Sequence, residues 1–286
     1  MALSDRQWQV RDLVMGPGTA YRLMDETNPF VLTTRADQGG PRAWNHGGWS
    51  GAEWANERVV PMRILVETDT LADWRDAHQL LASAFSPVAD SGDQVELRFA
   101  LGGTEYLLLG RPRMVEPDVS LIGAGKSFTR CAFVAQDPRI YSGVEQSAGP
   151  LGLPSQAGGM FLSLLLPLST GGTLIGGRVD LTNDGTTDTG LLLRIDGPVP
   201  EPRVTLLRPD GEVQTLRWAG LTIPSGQWLE VDTASRTAFL NGLEGASRFP
   251  GFVDWPLLPP GTSTLRFGAA DDDTGTLTVT YRHAWW

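Results

Sequence analysis

Three dipeptides, Asp184-Gly185, Asp210-Gly211 and Asn241-Gly242, punctuate the second half of the chain. Asp-Gly and Asn-Gly tolerate the positive φ angles of a tight β-turn. Around them, "GLLLRIDG", "RVTLLRPDG", "QTLRWAGLTIPSG", "QWLEVDTASRTAFLNG" and "TSTLRFGAA" recur at about ten-residue spacing. Apolar and polar residues alternate within them, the two-residue period of a half-buried strand. No clear helical period interrupts the series. The pattern predicts an antiparallel β-sandwich over 159–270.

The first half is also strand-rich. "WQVRDLV" (8–14), "TAYRLM" (19–24) and "PFVLTTR" (29–35) read as short strands, and "VVPMRILVET" (59–68) as a strong one. "VELRFAL" and "EYLLLGRPRMVEP" form a hairpin around Gly102-Gly103, and "KSFTRCAFVAQDPRIYS" adds a strand. One helix is expected at 69–85, capped by Asp69 or Thr70, with Leu71, Trp74, Leu81 and Phe85 on one face. The expected organisation is mainly β: a domain over 1–142, a turn-rich connector over 143–158, the sandwich, and a closing strand within 271–286.

Chemical motifs fail on their spacing. "GAGKS" (123–127) has Ser120 where a phosphate loop needs its first glycine, and it leads into a strand rather than a helix. "DLTNDGTTDTG" (180–190) starts like a calcium loop, but Leu191 occupies the place of the bidentate Glu. "GWSGA" (48–52) departs from the nucleophile-elbow pattern at Ala52. His46, His78 and His283 are the only histidines and lie on distant segments. Cys131, the only cysteine, alternates with apolar neighbours and reads as a buried strand thiol. The expectation is a non-enzyme with no catalytic residues, cofactor or metal.

Charge narrows the partners. Up to residue 140 there are 14 basic and 18 acidic residues, and 9 and 15 beyond it, so both halves are acidic and the total is −10. A sequence-specific nucleic-acid binder normally carries a basic patch, so none is expected. The longest apolar run, "FLSLLLPL" (161–168), is far shorter than the roughly 20 residues of a membrane span. The N-terminus lacks an apolar signal core, and synthesis in a cytoplasm is expected.

Tryptophans are the anomaly. Trp44, Trp49 and Trp54 sit in the glycine-broken segment 36–58 with Arg42 and Arg58, and the chain ends on Trp285 and Trp286. Trp and Arg are over-represented as interface anchors, so these seven are subunit-interface candidates. Trp218, Trp228 and Trp255 in the sandwich are candidates for an alternative, glycan-binding surface. Burial in the sandwich core is the competing account for Trp228 and Trp255.

The order of segments resembles the phage distal tail protein family, a tail-tip and baseplate hub component of long-tailed phages. The resemblance rests on "ERVVPMRILVETDT" before a Trp-bearing helix, "LRFALGGTEYLLLGRPRMVEPD" before "CAFVAQDPRIYS", and the ending "LEVDTASRTAFLNG…TYRHAWW". It covers nearly the whole chain and is greatest to minor tail proteins of actinobacterial phages. It implies an N-terminal, tail-tube-like ring domain followed by a galectin-like sandwich, with the chain's end returning to the first domain. It further implies a homohexameric ring in the virion, passing DNA, with tail-tube, tail-tip hub and tape-measure proteins as partners. A carbohydrate-binding module acting in host adsorption is the alternative.

Overall fold

A computed structural model describes residues 3–24, 27–90, 92–157, 173–175, 177–244, 250–270 and 274–286. It divides into two units, Met1–Val144 with Trp285–Trp286, and Glu145–Ala284.

The first unit opens with β1 (Trp8–Val10), β2 (Leu13–Met15) and β3 (Tyr21–Leu23). Four short strands follow: β4 (Thr34–Asp37), β5 (Gly40–Pro41), β6 (Gly48–Trp49) and β7 (Ala52–Ala55). Next come β8 (Arg58–Glu67), the helix α1 (Leu71–Ala84), β9 (Val95–Leu101) and β10 (Thr104–Asp118). A 3-10 turn (Val119–Ala124), β11 (Lys126–Ala135) and β12 (Ile140–Ser142) complete it. The main sheet runs β2-β1-β9-β10-β11-β8-β3, with β12 branching from β10. Its two end strands are consecutive in the chain, and Gly16 N donates to Tyr21 O at 2.7 Å, so the sheet nearly closes.

Alternation in sequence becomes alternation of faces. In β8 every second residue from Arg58 to Val66 is buried. Pro61 is tolerated there because β3 reaches only Ile64, Leu65 and Val66 of β8, leaving the proline's stretch with one open edge. Strand β10 pairs with β9 over Thr104–Gly110 and with β11 over Arg111–Asp118, with a register shift between Pro112 and Met114.

Helix α1 begins at Thr70, whose hydroxyl oxygen accepts from Asp73 N at 3.1 Å while donating to Asp73 Oδ2 at 2.7 Å. Ala77, Leu81, Ala84 and Phe85 enter the core, and Tyr21 Oη donates to Ala77 O at 2.8 Å. Leu71, expected on that face, is exposed. At about 100° per residue it lies roughly 110° from the centre set by Ala77, Leu81 and Ala84. Trp74, nearer that centre, is half-buried and donates Nε1–H to Ser127 Oγ at 2.9 Å.

The second unit begins with β13 (Gln146–Gly152), β14 (Ser155–Ala157), β15 (Thr173–Ile175), β16 (Arg178–Asn183) and β17 (Leu191–Asp196). It continues with β18 (Val199–Pro200), β19 (Arg203–Leu207), β20 (Val213–Trp218), β21 (Thr222–Ile223) and β22 (Trp228–Asp232). The rest are β23 (Thr237–Leu240), β24 (Leu243–Glu244), β25 (Pro250–Val253), β26 (Gly261–Gly268) and β27 (Thr276–Tyr281). A six-stranded sheet, β13-β27-β17-β22-β23-β24, and a five-stranded one, β16-β26-β19-β20-β25, enclose a core that includes Leu193, Val204, Trp218, Phe267 and Val279. It is a β-sandwich.

Asn241 and Gly242 join β23 to β24 with φ of 52° and 72°, the positive pair a two-residue hairpin demands. Asp184-Gly185 plays another part, carrying the chain from the five-stranded sheet to the six-stranded one. Residues 146–152, expected within a connector, form an edge strand instead. Gly149 and Pro150 suggested a linker, but an edge strand with a register shift accommodates both. Of the closing stretch 271–286, β27 lies between β13 and β17 of the sandwich. The last strand, β28 (Ala284–Trp285), pairs with β12. The apolar run at 161–168 and Asp271–Asp273 lie outside the described residues.

Candidate interaction surface

The glycine-broken segment 36–58 folds as a ribbon. Strands β4 and β7 pair with Arg35 opposite Trp54, and β5 and β6 pair with Gly40 opposite Trp49. Arg42 N donates to Gly47 O at 3.1 Å and closes the tip. Gly51 is required where the strands approach, since a Cβ there would stand 1.5 Å from Asp37 O. No residue from Phe30 to Glu57 is buried. A two-stranded hairpin without a core is marginal in water, so this arm lacks the burial that stabilises the rest of the unit.

Its aromatic rings lie on the outside. Trp44, held at φ 64° in the tip turn, is fully exposed, and Trp49 and Trp54 are also exposed. The Arg42 guanidinium lies 4.8 Å above the Trp49 ring. Phe30, Val31 and Leu32 at the arm's base add further exposed apolar surface. The sequence assigned them to a strand over 29–35, whereas pairing begins only at Thr34. The alternation of that stretch gave no sign that it leaves the sheet.

Arg58 departs from the interface expectation. Only 1% exposed, it donates Nε–H to Pro138 O at 2.7 Å and Nη1–H to Pro29 O at 2.9 Å and Val31 O at 3.1 Å. Burial lowers its pKa, while the charge of Asp137 acts the other way. Its position on the inward register of β8 makes it a buried clamp at the arm's root rather than a surface anchor.

The two terminal tryptophans lie in the first unit. Trp285 meets Tyr106 edge-to-face, and Trp286, partly exposed, lies 6.0 Å beneath the Arg139 guanidinium. Arg139 in turn pairs with Asp137 at 3.3 Å, and Tyr141 Oη donates to the same carboxylate at 2.5 Å. Burial, then the Asp137 charge, pushes the Tyr141 phenol well above its ordinary range.

The three sandwich tryptophans do not form one surface patch. Trp218 is 2% exposed and belongs to the core, because its place on the inward register of β20 turns it away from solvent; it is not an exposed sugar platform. Trp255 is half-buried against the same core. Trp228 is half-buried, with the Arg194 guanidinium 4.9 Å over its ring.

Among the described residues no cluster of three or more His, Cys, Asp or Glu side chains is placed to hold a metal ion, and no helix is long and apolar enough to cross a membrane. Lys126 of "GAGKS" opens β11 and pairs with Glu67 at 2.6 Å. Cys131 is buried, and desolvation pushes its thiol up to about 12.

No family model matches the chain, and no curated protein sequence matches it. Solved structures do. The Dit protein of phage SPP1, described as a paradigm of the hub adsorption apparatus in phages infecting Gram-positive bacteria, superposes with a TM-score of 0.56 at 15% identity. The superposition spans 98% of this chain and 94% of that one. The chain has a phage hub-protein fold. Two structures of the phage p2 baseplate in its activated conformation, with calcium and with strontium, match at TM-scores of 0.55 and 0.54. Each is 10% identical over 97% of this chain and 98% of theirs.

Proposed function

We propose that the chain is a structural subunit of a phage tail tip, a distal tail protein that assembles with copies of itself. The observation carrying this reading is the likeness to the SPP1 hub protein along almost the full length of both chains. The exposed arm supports it, because a ribbon with no buried face and three outward tryptophans gains burial on a second copy. In this reading six copies close a ring in the virion. The ring joins the tail tube to the tail-tip hub and gives passage to DNA and the tape-measure protein. An acidic chain with net charge −10 suits a conduit that must not retain DNA. The subunit carries no catalytic role and no cofactor.

The test is oligomeric state together with partner binding. Light scattering on a concentrated sample and negative-stain images should show a ring, alone or after addition of tail-tube protein. A strict monomer that also ignores tail-tube protein would overturn the proposal.

A further inference from the structure

The outer face of the five-stranded sheet carries a feature that a scaffold role leaves unused. Arg178 on β16 stands directly opposite Arg266 on β26, and Arg266 stands opposite Thr205 on β19. Two residues along, Arg203 on β19 stands opposite Gly268, on the same face. The alternate residues, Leu265, Phe267, Val204 and Leu206, point into the core, which fixes the arginines outward. Directly opposed side chains lie about 5 Å apart at Cβ and diagonal ones about 7–8 Å, and like charges so placed destabilise a sheet. Three guanidinium groups therefore crowd into one small area of a chain whose net charge is −10.

Carboxylates do not neutralise this cluster. Arg178 has only the exposed Asp180 at 3.6 Å, while Arg203 and Arg266 have no ion pair or hydrogen bond among the described residues. The neighbouring Arg217, opposite Arg203, is engaged by Glu201 at 2.6 Å and stands outside the groove. Between the arginines runs an open groove of about 540 Å³, lined also by Pro154, Gly177 and Thr205. Gly268 leaves its floor bare: a Cβ there would lie 3.6 Å from Arg203 Nη2.

We propose that this groove is an oxyanion site that takes a phosphate group, borne as a monoester or a diester. Guanidinium forks match the spacing of phosphate oxygens and bind them in bidentate fashion. The Thr205 hydroxyl, which shares a 3.3 Å contact with Thr215, supplies a further donor beside Arg266. An arriving phosphate removes the like-charge repulsion across β16 and β26, so binding is favoured from both sides.

The experiment is calorimetric titration of the full-length protein with inorganic phosphate, glycerol 3-phosphate and dimethyl phosphate, against chloride at equal ionic strength. Arg203→Gln and Arg266→Gln are each expected to weaken binding about tenfold, the value of one charge-assisted hydrogen bond, while the thermal transition holds or rises as the like-charge repulsion is relieved. Arg75→Gln, an equal charge change on α1, should leave binding unaltered. Comparable binding of the monoester and the diester assigns a single phosphoryl group, and preference for one names its form. Absence of binding, binding that survives both groove substitutions, or an equal loss in Arg75→Gln would each overturn the site.

Discussion

The Trp285 ring meets Tyr106 edge-to-face, with centroids 5.7 Å apart and planes at 79°. Tyr106 stacks on Phe99, and Phe99 on Trp8, so the penultimate residue of the chain caps an aromatic row that starts in β1. That accounts for Trp285, which is a packing group of the first unit, whereas Trp286 remains exposed. Trp285→Ala should lower that unit's stability by about 2 kcal/mol, the scale of a partly buried aromatic contact. Denaturant titration monitored by near-ultraviolet circular dichroism reads it directly. An unchanged midpoint would show the row to be complete without its cap.

Arg58 concentrates the polar satisfaction of the arm's root on one guanidinium. Its three hydrogen bonds tie Pro138 to Pro29 and Val31, segments far apart in sequence. Arg58→Ala leaves the buried Pro29 carbonyl and the part-buried Pro138 and Val31 carbonyls without this donor and is expected to cost about 3–5 kcal/mol. Arg58→Lys retains the charge but not the fork, and should fall between the two. Faster amide exchange across 30–57 in the lysine variant would identify the clamp as the arm's anchor, and uniform exchange would refute that role.

How much of this was legible beforehand follows from periodicity. The sandwich strands could be read because a period of two records both strand and face, as in Leu191, Leu193 and Ile195 of β17. The helix announced itself through Thr70 and its 3.6-residue spacing, although the burial of Leu71 was overestimated. Composition gave no account of exposure. Trp44 and Trp218 are the same residue type, each two residues from an arginine or nearer, and one is fully exposed while the other is in the core. Arg58 looked like a surface anchor because nothing local shows that β8 turns it inward. The arginine groove was invisible because Arg178, Arg203 and Arg266 are brought together only by the register of three strands.

Glu201 provides a pH signature. Its carboxylate is held below the usual range first by the Arg217 hydrogen bond and then by the Gly220 N–H at 3.1 Å. A depressed pKa in the folded state means the stabilisation is present above the unfolded pKa and is lost as pH falls through the folded one. Wild type should therefore exceed Glu201→Gln in melting temperature at neutral pH, with the gap closing below the ordinary carboxylate range. A gap independent of pH would rule out the carboxylate as its source.

Cys131 should act as a silent reporter of the first unit. The thiolate is the reactive species, and burial pushes the thiol up to about 12. An aromatic disulfide reagent at neutral pH should leave the native protein unmodified, with labelling rising in urea together with the loss of β-sheet signal. Rapid labelling of the native protein would contradict the burial.

The arm yields the sharpest separation between folding and assembly. Trp44 makes no ring contact among the described residues, and its side chain is fully exposed at the tip. Exposed positions away from caps and cores usually change stability by less than about 0.5 kcal/mol. Trp44→Ala and Trp54→Ala should thus melt like wild type. If the arm docks on a second copy, the same substitutions remove buried aromatic area where hot spots commonly cost 2 kcal/mol or more, and the proposed assembly should give way to smaller species in light scattering. Arg42→Ala, which leaves the Trp49 ring without its stacked cation, should act in the same direction with a smaller effect. Intact assembly in the Trp44→Ala, Trp54→Ala double variant would move the subunit contact elsewhere on the first unit.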